Sequence, residues 1–195
     1  MQVLFIVHLQ VIEEVGSENV AGVTSDNASA ETTSWDTIRD SYPMIMTIGC
    51  TAHGGNLLFQ DVCAHAWPTK IINTCVKLAK FFRNHTYTCA QIKLRTLAFH
   101  RKAYVVVLHG ETRFAGIYYV IKRLIFLHPI LREMCASGPF REKRYREADE
   151  ITAITNDAAF WAKAEKLRKF LKPLKCFIKL MDHDCHCSHH VWPGM

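Results

Sequence analysis

The feature that most constrains this chain is a change of apolar period near Pro68. Before it, short apolar runs alternate with helix-spaced segments; after it, apolar residues recur at helical spacing through long basic stretches. Strand and helix demand different periods, so the two stretches predict different architectures. In the first, Leu4, Val7, Val11 and Val15 mark an amphipathic helix with Gly16 as its stop. Val20-Ala21-Gly22-Val23 reads as a short buried strand ending in the turn-forming Ser25-Asp26-Asn27. Trp35, Ile38 and Tyr42 lie at helical spacing before Pro43, and Met44 to Gly49 is a second apolar strand. A third helix follows Cys50 and carries Leu57, Leu58, Asp61, Val62 and His65 towards Pro68. The order predicts part of an α/β sheet over residues 1–66.

Residues 67–182 predict a mainly helical region. Ile71, Cys75, Leu78 and Phe82 form one stripe; Phe114, Ile117, Ile121, Leu124 and Ile125 a second; Phe160, Ala164, Leu167, Leu171, Leu174 and Ile178 a third. Core packing explains all three. Tyr104 to Leu108 is ambiguous between strand and helix, while Ser137-Gly138-Pro139 and the charged Arg141 to Glu150 predict a loop or solvated connector. Residues 183–195 form a His/Cys-rich irregular tail.

Charge follows the same division. Residues 1–66 hold one base, Arg39, against eight acids, a balance of −7; the remainder holds 23 bases and ten acids, a balance of +13. Two functional surfaces are suggested, the basic one suited to a polyanion such as nucleic acid, although solvated Lys and Arg faces on helices have the same composition. No apolar run approaches the roughly 18 residues that span a bilayer, so no membrane association is expected. Val3 to Val7 is broken by His8 and Gln10; no Lys or Arg precedes it and no cleavage pattern follows, so the chain reads as intracellular. Its eight cysteines are scattered among helix-spaced segments and read as reduced thiols.

Four places could carry chemistry. Asp26 stands at the carboxyl end of a strand, where α/β folds gather ligands and metals, although an Asp there equally serves as an N-cap or turn residue. Cys50-Thr51-Ala52-His53 opens a helix with Asn56 one turn on; no second pair at finger-like spacing completes a zinc site, so packing and hydrogen bonding explain it better. Within Gly110 to Phe114, Thr112 suits a helix cap, and Arg113 could pair with a phosphate or carboxylate. His183, Cys185, His186, Cys187, His189 and His190 are soft ligands at irregular spacing, which favours adventitious metal capture.

Three segments, Val23-Thr24-Ser25-Asp26-Asn27-Ala28-Ser29, Cys50-Thr51-Ala52-His53-Gly54-Gly55-Asn56-Leu57-Leu58 and Thr112-Arg113-Phe114, together resemble the hAT-type transposases. Phe160-Trp161, Leu171-Lys172-Pro173-Leu174 and Asp182 extend the likeness over roughly residues 10–182. The resemblance implies a ribonuclease H-like core interrupted by a helical insertion. It also implies DNA strand cleavage and transfer by two Mg²⁺ or Mn²⁺ ions held by two Asp and one Glu. Asp26 matches the second Asp; the first Asp is expected before residue 1 and the Glu beyond residue 182. Paired metals about 4 Å apart need several converging carboxylates, so a chain with Asp26 alone is expected to bind no catalytic metal and to be an inactive, truncated copy. Gly55, where a larger apolar residue is usual, and Ser25, Glu31 and Thr32 depart from the family pattern. Its DNA-binding finger and its C-terminal dimerisation region are not found.

The alternative is a non-catalytic module. A nucleic-acid-binding version would use Arg101, Lys102, Arg141, Lys143, Arg144 and Arg146 on phosphates, with strongly salt-dependent affinity. An interaction version would pair an exposed sheet edge with another chain, self-association included. Nuclear residence is implied by the family resemblance.

Overall fold

A computed structural model describes residues 2–108, 110 and 115–181. The first helix, α1, runs Gln2–Val15 and stops at Gly16, whose φ of 85° suits a residue without a Cβ. A single 3₁₀ turn, Ser17–Asn19, leads to β1, Gly22–Ser25; α2, Ser29–Ser41, then returns the chain to β2, Met46–Gly49. The strands pair in parallel, from Gly22 opposite Met46 to Ser25 opposite Gly49. Two parallel strands cannot be joined by a tight turn, and α2 supplies the crossover. Ile12, Ile38 and Ile45 form the local core, with Leu9, Val20, Val23 and Tyr42 packed around them.

Two expectations change here. Val7, Val11 and Val15, the stripe that marked the first helix, are about half exposed, and Ile12 turns inward against α2 instead. Apolar residues lie on both sides of α1, so spacing alone did not select the buried side. The first strand is not buried throughout: burial alternates along it, with Gly22 and Thr24 facing solvent. Its neighbour behaves alike, leaving Met46 and Ile48 outward, 64% and 51% exposed.

After Gly49 the chain is helical: α3 Thr51–Ala64, α4 Ala66–Asn84, α5 Thr86–His100, α6 Gly116–Ala136, α7 Gly138–Glu142, α8 Ala148–Asn156 and α9 Ala158–Met181. The fold is therefore an α/β segment followed by helices. Pro68 does not stop the third helix; it sits in the first turn of α4, where a missing N–H costs little. Tyr104 to Leu108 belongs to no regular element. The connector expected over Arg141 to Glu150 shrinks to residues 143–147, because buried Phe140 and Ile151 anchor α7 and α8 on either side.

The chain divides into two compact units, residues 2–58 with 177–181, and residues 59–176. In the second, α6 packs against α4, α5, α7 and α8. The first stripe is wholly buried, and Ala164, Leu167 and Leu171 bury the middle of the third. His128 of α6 stacks on Trp161 of α9 at 4.0 Å, and both rings converge on the Thr155 carbonyl: His128 Nε2 lies 3.0 Å away and Trp161 Nε1 donates over 3.0 Å.

Candidate functional site

Parallel pairing brings the carboxyl ends of β1 and β2 side by side, and the Asp26 and Cys50 motifs follow them directly. The Cys50 N–H donates to the Ser25 carbonyl at 2.7 Å, continuing the ladder one residue beyond the strands. Asp26 is exposed, and its Oδ1 accepts the Ala28 N–H at 2.9 Å. It is thus the turn residue between β1 and α2, while Ala28 is the helix cap. Asn27 reaches across instead: its Nδ2 donates to the Cys50 carbonyl at 3.4 Å. Beneath it Gly49 leaves no room, since a Cβ there would lie 2.1 Å from Asn27 Oδ1 and 3.1 Å from the Trp35 ring. Trp35 Nε1 donates to Ser25 Oγ at 2.8 Å, locking the ring behind the strand end.

Cys50 caps α3: its carbonyl accepts the Gly54 N–H at 3.0 Å and its Sγ accepts the His53 N–H at 3.5 Å. His53 is half-buried and Asn56 is buried on the same helix. The Cys50–His53 pair is therefore tied together by a backbone contact to sulfur. At Gly55, a Cβ would lie 2.9 Å from the Phe177 ring, so that aromatic fills the space a larger residue would take. Glu31 is buried facing α1, with its Oε2 3.9 Å from His8 Nδ1, which also lies 3.0 Å from Ser34 Oγ.

Among the described residues no three His, Cys, Asp or Glu side chains converge to hold a metal ion. Burial raises the Cys63 thiol to about 11 and the Cys75 thiol to about 12, so neither is a nucleophile at neutral pH. Described cysteines are free thiols, Cys75 and Cys135 buried and Cys176 exposed. Thr112 and Arg113 lie outside the described residues, as do Asp182 and the His/Cys tail.

The basic candidates separate into two groups. Arg101 ends α5 in a left-handed conformation, and Lys102 lies 5.7 Å from the Tyr104 ring centre. Arg141 is in α7, and Lys143, Arg144 and Arg146 occupy the link to α8. Tyr145 within that link packs on His85 at 4.6 Å, and Lys143 lies 5.2 Å over the Tyr87 ring, so this second group adjoins the start of α5. Sequence reasoning passed over the cations of α4 and α5 themselves, Lys77, Lys80, Arg83 and Lys93, because they interleave with a core stripe.

Residues 1–80 match a family described as a domain of unknown function, DUF659. That stretch contains the whole βαβ unit and the Asp26 and Cys50 motifs. Neither curated proteins nor solved structures gave a match to the chain.

No described helix is long and apolar enough to cross a membrane.

Proposed function

We propose that this chain derives from a hAT-type transposase and acts on DNA by binding it, without cutting it through its described residues. The observation that carries this is the setting of Asp26. By the resemblance it corresponds to the family's second metal-binding Asp, yet its carboxylate closes a turn, and no cluster of three ligand side chains surrounds it among the described residues. Two-metal strand cleavage needs converging carboxylates, so Mg²⁺ or Mn²⁺ chemistry would require partners from beyond these residues.

The crossover β1-α2-β2 with Asp26 at its carboxyl end supports reading residues 1–66 as part of a ribonuclease H-like core. The helices over 67–182 then correspond to the family's insertion. Their balance of bases over acids supplies the charge that phosphate binding needs, and nuclear residence accords with that role. Incubating purified protein with supercoiled plasmid in Mg²⁺ or Mn²⁺ tests the reading: the plasmid should be retarded on a native gel but stay supercoiled. Nicking that Asp26→Ala abolishes would overturn it.

A second reading, protein interaction through the sheet, is favoured by one observation. Met44, Met46 and Ile48 are 92%, 64% and 51% exposed on β2 and its approach, whereas parallel sheets are ordinarily covered on both faces.

A further inference from the structure

We propose that the phosphate backbone of nucleic acid lies in an open groove where α4 meets α5, contacted by Lys80, Arg83 and Lys93. The inference rests on the DNA-binding reading above and gives it a place. Two concavities adjoin there, of about 400 and 510 Å³. Lys77 and Lys80 line the first, Arg83 and Lys93 the second, and Asn84 lines both, so the two are neighbours across the end of α4. Lys77, Lys80 and Asn84 recur at three- and four-residue intervals and share a face of α4.

The charge is not neutralised from within. Lys77 pairs with Glu150 at 2.5 Å, but among the described residues no carboxylate lies within ion-pair distance of Lys80, Arg83 or Lys93. All three are exposed. Among the described residues, Glu147 is the one acid lining either concavity. Lys143 over Tyr87, and Tyr145 against His85, carry the basic surface on towards Arg144 and Arg146.

Shape favours a polymer over a free anion. A small-molecule site is enclosed, whereas this path is open, with Lys80, Arg83, Lys93 and Asn84 set beside apolar Val76, Phe81, Ala90 and Leu108. Lys and Arg side chains of this kind contact backbone charge rather than base edges.

Fluorescence anisotropy with labelled 20-mer DNA, single-stranded and duplex, at 50 and 200 mM salt tests this on the full chain. Lys80→Gln/Arg83→Gln/Lys93→Gln should weaken binding at least tenfold and reduce the logarithmic salt slope by about 2 to 3. The charge-conserving Lys80→Arg/Arg83→Lys/Lys93→Arg should stay within threefold of the wild type, which separates loss of charge from loss of fold. Arg39→Gln, on α2 in the other compact unit, should change affinity less than twofold. Binding of either DNA form with these responses supports the groove. A triple variant with wild-type affinity and slope overturns it while leaving the DNA-binding reading intact. So does poly-glutamate that displaces the label as well per unit charge as DNA does, since that marks an acidic-peptide site. A wild type that binds neither DNA form removes the DNA-binding reading and the groove together.

Discussion

At Gly49 a single hydrogen in place of a methyl lets two strand ends lie side by side. Gly49→Ala would drive a Cβ towards Asn27 Oδ1 and the Trp35 ring, which is held by its bond to Ser25. Overpacking of this kind costs about 1–3 kcal/mol, so the urea midpoint should fall, and Asn27→Ala added to it should restore part of the loss. An unchanged midpoint would contradict the packing. Acidity acts at another residue, His128, whose pKa is lowered chiefly by burial, against its contact with the Thr155 carbonyl and with Arg132 adding to the fall. A His pKa depressed by folding means that the unfolded chain binds protons first. The stability is therefore complete above the ordinary value near 6.5 and declines as pH drops below it. Thermal melts at pH 7.5 and 5 should show a smaller pH difference for His128→Gln than for the wild type. At this scale Asp26 as a turn residue was legible, because its bond spans two residues. The close approach of Asn27 to Gly49 was not, since it exists only once the parallel register is set.

Elements show where spacing alone was enough and where it was not. The stripe Ile71, Cys75, Leu78 and Phe82 was read correctly because the other side of α4 carries Lys and Asn, leaving one apolar face. On α1 no such contrast exists, and the half-exposed valines were mistaken for the inner side. Short α7 was missed because five residues have almost no intrinsic helicity and depend on the burial of Phe140. Arg101, at φ 54°, ends α5 in a conformation that suits glycine better. Arg101→Gly should accordingly raise stability by about 0.5–1 kcal/mol in chemical denaturation; a loss would argue against the left-handed cap. The uncovered sheet face makes its own prediction. Met46→Lys/Ile48→Lys should reduce concentration-dependent light scattering while the melting temperature stays close to wild type, because both side chains already face solvent. Scattering unchanged by the pair would show that self-association does not use this face.

Across the whole molecule, an α/β segment ahead of a helical one was legible because the two need different spacings, but the last strand ends at Gly49, well before Pro68. The division of charge was legible from counting alone, acidic before residue 67 and basic after it. What counting could not supply was which cations share a surface. Lys80 and Arg83 on α4 meet Lys93 of α5 through the concavities at the helix junction, and the Lys143 link joins them only after α7 and α8 fold back. The central claim, binding without cutting, is tested most directly by following the anisotropy of a labelled 20-bp duplex over time in Mn²⁺ at 50 and 200 mM salt. The account expects a saturable rise that weakens by at least tenfold between the two salts and then holds steady. No rise at 50 mM, or a rise that decays below the value of the free duplex as the strand is cleaved, would contradict it.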